Sequence, residues 1–176
     1  MKGACAQPPG FLLMRQRDTT SASLASDDGF LLKLELHSDP QLLCVVRGAL
    51  ERLTEVFGFS PPDRRSVTRA VDEALTNIMR HCYNGRTDQP IELYCTRVPP
   101  RGSERADGLE ILLCDKGPAV DPSKLRGRRL DEIKPGGLGL HFIRQSMDIV
   151  EYRRAGDTNE FRLVKYLQPP TQSGKC

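Results

Sequence analysis

Asp72 to Tyr83 reads DEALTNIMRHCY, a stretch with the apolar spacing of a helix. Glu73 and Asn77 are four residues apart, so they lie one turn apart on the same helix face. The apolar residues around them recur at helical spacing and predict the core side: Val67, Val71, Ala74, Leu75, Ile78 and Cys82. A carboxylate and an amide oxygen along the edge of that stripe can point into a cleft. Hard oxygen donors suit Mg²⁺, whereas the same pattern in isolation is more often a solvated helix flank.

A second segment, LLCDKGPAVD from Leu112 to Asp121, reads as a strand that runs into a turn. Asp115 follows an apolar run, which places a carboxylate at the mouth of a buried strand. Such a carboxylate can accept a hydrogen bond from an adenine amino group, and Gly117 would let the backbone approach the ring closely. By itself the segment favours an ordinary strand exit, where Asp, Gly and Pro are common.

A third segment, GGLGL from Gly136 to Leu140, opens another helix. Glycines at a helix N-terminus leave free N–H groups beside the positive end of the helix dipole, which together make an anion site. The spacing is neither G-x-G-x-x-G nor the Walker pattern, because no Lys-Ser/Thr follows the last glycine. A flexible linker that leads into a helix is the alternative interpretation.

The three segments in this order resemble the ATP-binding domain of the GHKL superfamily, the histidine kinase-like ATPases. Within that superfamily, the chain is most similar to the bacterial anti-sigma factor serine kinases. The E-x-x-x-N-x-x-x-H-x-Y box of the family matches the helix segment, from Glu73 through Asn77 to Tyr83. Its D-x-G box matches Asp115 and Gly117, and its G-G-x-G-L-x-x-I box matches residues 136–143. The chain departs from the family where a Gly-Thr pair often precedes the last strand, since Thr158 and Asn159 are the nearest residues here.

The resemblance implies an α/β (α+β) fold, a two-layer sandwich with helices on one face of a mixed β-sheet. It implies that the domain binds ATP and Mg²⁺ and transfers the γ-phosphate to a serine of an anti-anti-sigma protein, while the same domain sequesters a sigma factor. Glu73 would be the general base and Asn77 the Mg²⁺ ligand. Asp115 with Gly117 would read adenine, and the glycine segment would hold the phosphates through Gly136, Gly137, Gly139 and Leu140. Relatives commonly dimerise through the sheet region, so the resemblance is compatible with a homodimer.

Two other functions are compatible with the same motifs. A non-catalytic switch could bind ATP only to hold a regulatory partner, and it could dispense with Glu73. A histidine-kinase catalytic domain is disfavoured, because the roughly 70 residues before the helix segment leave no room for two long dimerisation helices with a phosphoacceptor histidine.

Composition narrows the function classes. The chain has 176 residues, a net charge of +3 and 6% aromatic residues, which argues against a direct nucleic-acid partner. Its six cysteines form no C-x-x-C pair, so a zinc site is not expected. The four outside the tails, Cys44, Cys82, Cys95 and Cys114, lie in apolar helix or strand patterns and are expected to be small buried hydrophobes. This pattern favours a reducing cytoplasm. No stretch approaches the length of a membrane span.

The order of patterns along the chain predicts one folded domain between two tails. Residues 1–28 are expected to be a flexible N-terminal tail, residues 29–167 the ATP-binding domain, and residues 168–176 a C-terminal tail. The predicted helices begin near Asp39, Ser60 and Gly137, and the second runs to about Tyr83. Strands are predicted at residues 30–36, 91–98, 109–115, 149–154 and 160–167.

Overall fold

The computed structural model describes residues 30–100, 106–119 and 139–168. The elements in chain order are β1 (Phe30–His37), a 3₁₀ turn (Pro40–Leu42), α1 (Leu43–Phe57), α2 (Pro61–Asn77), a π-helical turn (Ile78–Cys82), β2 (Pro90–Val98), β3 (Gly108–Asp115), α3 (Gly139–Ser146), β4 (Ile149–Ala155) and β5 (Thr158–Tyr166). The tails expected at 1–28 and 168–176 lie outside the described residues, except for Gln168.

The ends of the first two helices are set by local side-chain chemistry that the sequence predicts. The Asp39 carboxylate accepts a hydrogen bond from the Gln41 N–H at 2.9 Å and so caps the turn that leads into α1. Gly58 ends α1 with a φ of 101°, a left-handed conformation that glycine adopts without steric cost. The Ser60 hydroxyl accepts from the Asp63 N–H and caps α2, whose first residue is Pro61.

The five strands form one sheet in the order β1-β2-β3-β5-β4. All four pairings among the described residues are antiparallel, so the expectation of a mixed sheet is wrong for this part of the chain. The reason lies in the connections. β2 and β3, and likewise β4 and β5, follow each other along the chain and pair as antiparallel neighbours, while two helices separate β1 from its antiparallel partner β2. β3 and β4 do run in the same direction, but β5 is inserted between them, so no two described strands form a parallel hydrogen-bonded pair.

The helices cover one face of the sheet, and the two layers share a single buried core. The fully buried side chains of α2 include Val67, Val71 and Leu75, as the helical spacing predicts. They belong to one cluster with the sheet residues Ile91, Leu93, Cys95, Leu109, Ile111, Leu113 and Leu163. The two-layer α/β class is therefore confirmed. Within the described ranges, no helix combines the length and the apolar character needed to cross a lipid bilayer.

Candidate functional site

The first and third sequence segments meet where α2 packs against α3. Glu73 lies in the last two turns of α2, and Gly139 is the first residue of α3. A Cβ atom added at Gly139 would overlap the Glu73 carboxylate, so only glycine leaves room for this contact. The structure thus places a carboxylate directly at the start of the helix that follows the glycine segment.

Asn77 is the last residue of α2, one turn beyond Glu73. Its side chain is half-buried, and no described residue forms a hydrogen bond with it. After Asn77 the chain does not continue as the α-helix that was predicted to Tyr83, but as a π-helical turn over Ile78–Cys82. Single π turns are frequent at functional sites, and this one shifts the residues after it relative to an unbroken α-helix.

The π turn brings the end of the first segment onto the second. The Tyr83 hydroxyl accepts a hydrogen bond from the Lys116 N–H at 2.8 Å and donates to the Pro90 carbonyl at 2.6 Å. A Cβ atom added at the buried Gly117 would lie 2.7 Å from the Cβ atom of Cys82. Glycine at this position is therefore required by the packing of the π turn against the strand exit, a reason that the sequence did not reveal.

Asp115 ends β3 and is 4% exposed. Its Oδ1 atom accepts two hydrogen bonds, from the Gly117 N–H and from the Asn159 side chain, both at 2.8 Å. No described residue donates to Oδ2. Burial raises the pKa of this carboxyl, and the hydrogen bonds from Asn159 and Gly117, together with the charge of Arg154, offset part of that rise.

The remaining predicted residues divide into two groups. Leu140 is half-buried and packs against the core, which makes it a support for the start of α3. Gly136 and Gly137 lie outside the described residues. Glu73 thus contacts Gly139, and the π turn that follows Asn77 packs against Gly117 beside Asp115. The roles of these residues toward a ligand stay predictions.

Sequence reasoning missed the residue that holds Asp115. Asn159 lies directly opposite Asp115 in the β3–β5 pairing and is 1% exposed. In the sequence, Asn159 stands out only as a departure from a family pattern. An asparagine near the start of a strand does not by itself indicate a functional role. Its contact with Asp115, which lies 44 positions away in the sequence, depends on the register of the two strands.

Fold and site together define an α/β domain with a helix carboxylate at the start of a glycine-led helix and a buried carboxylate at the end of a central strand. The histidine kinase-like ATPase domain model matches residues 36–165, so the protein belongs to that family, and membership implies ATP binding.

Curated relatives and a solved structure agree with this assignment. The serine-protein kinase RsbW of Bacillus pumilus (strain SAFR-032) is 27% identical over 129 residues, which cover 69% of this chain and 76% of that protein. The serine/threonine-protein kinase BtrW of Bordetella bronchiseptica is 32% identical over 110 residues, 60% of this chain and 72% of that protein. The crystal structure of the RsbU and RsbW domains of a Mycobacterium tuberculosis protein superposes with a TM-score of 0.54 at 15% identity. That match covers 82% of this chain and 35% of the longer solved chain, and it supports the fold alone.

Proposed function

We propose that this protein is an ATP-dependent protein serine kinase that acts as a cytoplasmic anti-sigma factor. Its substrate in this proposal is a serine hydroxyl on an anti-anti-sigma partner, and in the absence of phosphotransfer it sequesters a sigma factor. Relatives that bear the names of serine and serine/threonine kinases support the activity. The observation that carries the proposal is the contact between Glu73 and Gly139, which sets a carboxylate at the start of the glycine-led helix.

Asn77 suits a role as the protein ligand of Mg²⁺. Its amide is at the end of α2, half-buried and without a hydrogen-bond partner among the described residues. The described residues contain no group of three or more His, Cys, Asp or Glu side chains that could hold a metal ion. Mg²⁺ fits such a site, because it keeps several waters and takes its other ligands from substrate phosphates. When bound, the ion would neutralise charge on the phosphate oxygens.

Each of the proposed site residues has a separate role in phosphotransfer. Asp115 accepts the amino hydrogen of adenine on its Oδ2 atom, and the N–H groups at Gly136, Gly137 and Gly139 hold phosphate oxygens. Glu73 accepts the proton of the serine hydroxyl as Oγ bonds to the γ-phosphorus. At the same time the bond from that phosphorus to the β,γ-bridging oxygen breaks, and ADP leaves.

Two substitutions one helical turn apart test this division. Glu73→Gln should lower the rate of phosphotransfer about 10²–10⁴-fold, the usual span for a positioned general base, and leave Mg·ATP affinity nearly unchanged. Asn77→Ala should weaken Mg·ATP binding itself. Calorimetry gives the affinities, and single-turnover transfer to a serine-bearing anti-anti-sigma protein from the same genome gives the rates.

Asp72→Asn is the matched control, since Asp72 precedes Glu73 but pairs with Arg47 of α1 at 2.8 Å. It should keep both affinity and rate. Two results together would contradict the kinase activity. The wild type would bind Mg·ATP tightly but transfer no phosphate to any partner tested, and the Glu73→Gln variant would still release the sigma factor. The non-catalytic ATP-binding switch would then be the function.

A further inference from the structure

The two N–H groups of the Asn159 amide serve three acceptors at the end of β3, so one N–H is shared between two acceptors. Nδ2 donates to the Asp115 carboxylate at 2.8 Å, to the Pro118 carbonyl at 3.1 Å and to the Gly117 carbonyl at 3.2 Å. All three acceptors belong to the strand exit. An oxygen atom in place of Nδ2 would face three acceptors, so this side of the amide has to be the donor side.

The amide oxygen of Asn159 is fixed just as firmly from the other side. Oδ1 accepts from Arg154 at 2.6 Å and from the Tyr152 hydroxyl at 2.8 Å. A guanidinium group can only donate, so the oxygen has to face Arg154. Donors on one side and acceptors on the other leave Asn159 a single orientation, and the side chain is 1% exposed.

This orientation determines what Asp115 can offer a ligand. Asn159 and the Gly117 N–H both donate to Oδ1, which stabilises the ionised form of the carboxylate and holds its plane. Oδ2 then remains as an acceptor with no donor among the described residues. An ionised Oδ2 favours a ligand group that donates, such as the exocyclic amino group of adenine, over the carbonyl that guanine and hypoxanthine have at the same ring position.

We propose that Asn159 is a positioning residue that sets the preference of this site for a 6-aminopurine, by holding Asp115 as an oriented acceptor. The inference rests on the proposed ATP site and adds the residue that determines its base specificity. Arg154 and Tyr152 act one step further away, because they fix the direction of the amide.

The positioning role of Asn159 is tested by changing Asn159 in the protein and the 6-amino group in the nucleotide, separately and together. Asn159→Leu keeps the side-chain shape but removes both the donor and the acceptor. Calorimetry in Mg²⁺ compares ATP with purine riboside 5′-triphosphate, which lacks the 6-amino group, and with inosine 5′-triphosphate, which has a 6-oxo group. The wild type should prefer ATP to purine riboside 5′-triphosphate by roughly 10- to 100-fold, as expected for a hydrogen bond to a charged group. In Asn159→Leu that ratio should fall to within about 3-fold, and the preference over inosine 5′-triphosphate should shrink in parallel.

The ratio separates positioning from packing. If Asn159→Leu weakens ATP and purine riboside 5′-triphosphate by the same factor, Asn159 only supports the fold and the inference is wrong, while the proposed function stands. If the wild type does not distinguish the two nucleotides, or binds neither, the adenine site at Asp115 fails first. Asn159→Val replaces Asn159→Leu should the latter not fold. Thr54→Val is the control, because it removes a buried hydrogen bond to the Leu50 carbonyl inside α1 and should leave every ratio unchanged.

Discussion

In the proposed function, Asp115 combines adenine binding with a buried position that is unfavourable for a charge. Its carboxyl has a raised pKa because the group is buried, so the folded state binds its proton more tightly than the unfolded state does. The contribution of this group to folding stability therefore falls as the pH rises from the ordinary aspartate value through the raised value. Above the raised pKa the ionised carboxylate reduces stability, and in the proposed function it provides the acceptor for adenine.

Asp115→Asn should separate these two effects. The amide keeps an oxygen for the Gly117 and Asn159 donors but presents N–H where Oδ2 accepted. ATP affinity should fall by roughly 1.5–3 kcal/mol, the contribution of a charged hydrogen bond. The variant should become more stable relative to wild type as the pH rises through that window. Calorimetry with ATP and thermal unfolding as a function of pH measure the two arms. Unchanged ATP affinity, or equal wild-type affinity for ATP and GTP, would rule out adenine reading by this carboxylate.

At the scale of elements, the approach of α3 to α2 depends on a residue without a side chain. Gly139→Ala places a methyl group where the Glu73 carboxylate lies, so that carboxylate has to move. Misplacement of a catalytic group by about 1 Å can lower a rate about 100-fold, so we expect a loss of that order in phosphotransfer.

Gly48→Ala is the matched control for this change. Gly48 lies inside α1, and a Cβ atom there would meet nothing within 4 Å. Alanine should stabilise the helix by about 0.5–1 kcal/mol and leave transfer unchanged. Equal transfer rates in the two alanine variants would show that the contact between Gly139 and Glu73 has no catalytic consequence.

The elements themselves were largely predictable, because their signals are local. Asp39, Gly58 and Ser60 act through neighbours within a few residues, and apolar spacing alone identified the buried face of α2. The π turn after Asn77 was missed, since its residues continue a helical pattern and only contacts with Lys116 and Gly117 distinguish it. The antiparallel sheet and the role of Asn159 were missed for a related reason. Both depend on strand order and register, which local patterns do not encode.

At the scale of the whole molecule, the reactivity of the cysteine thiols measures how often the domain unfolds. Cys95 is fully buried in β2, and burial raises the pKa of its thiol to about 12. Cys44 is exposed on α1, so the expectation that its thiol is buried is wrong. Because the thiolate is the reactive form, a thiol reagent should modify Cys44 in the native protein and Cys95 only after extensive unfolding.

Mg·ATP should slow the modification of Cys95 without changing that of Cys44. A ligand that binds only the folded state stabilises it by about 2.7 kcal/mol at 100 times Kd, which lowers the unfolded population about 100-fold. Peptide mapping by mass spectrometry separates the two sites. A Cys95 rate that is insensitive to saturating Mg·ATP would mean that Cys95 becomes reachable through a local opening of β2, independent of the nucleotide site.

The insertion of β5 between β3 and β4 also has a consequence for the order in which the protein is made. A ribosome synthesises Asp115 well before Asn159, and until residues 158–166 emerge, β3 lacks one neighbour and β4 has none. A nascent chain that stops short of β5 therefore exposes an unpaired strand edge, a surface on which chaperones or other nascent chains can act. Pairing across such a sequence separation is also slow to form. The ability to hold a nucleotide should thus appear abruptly, with the arrival of one late strand, rather than gradually as the domain is translated.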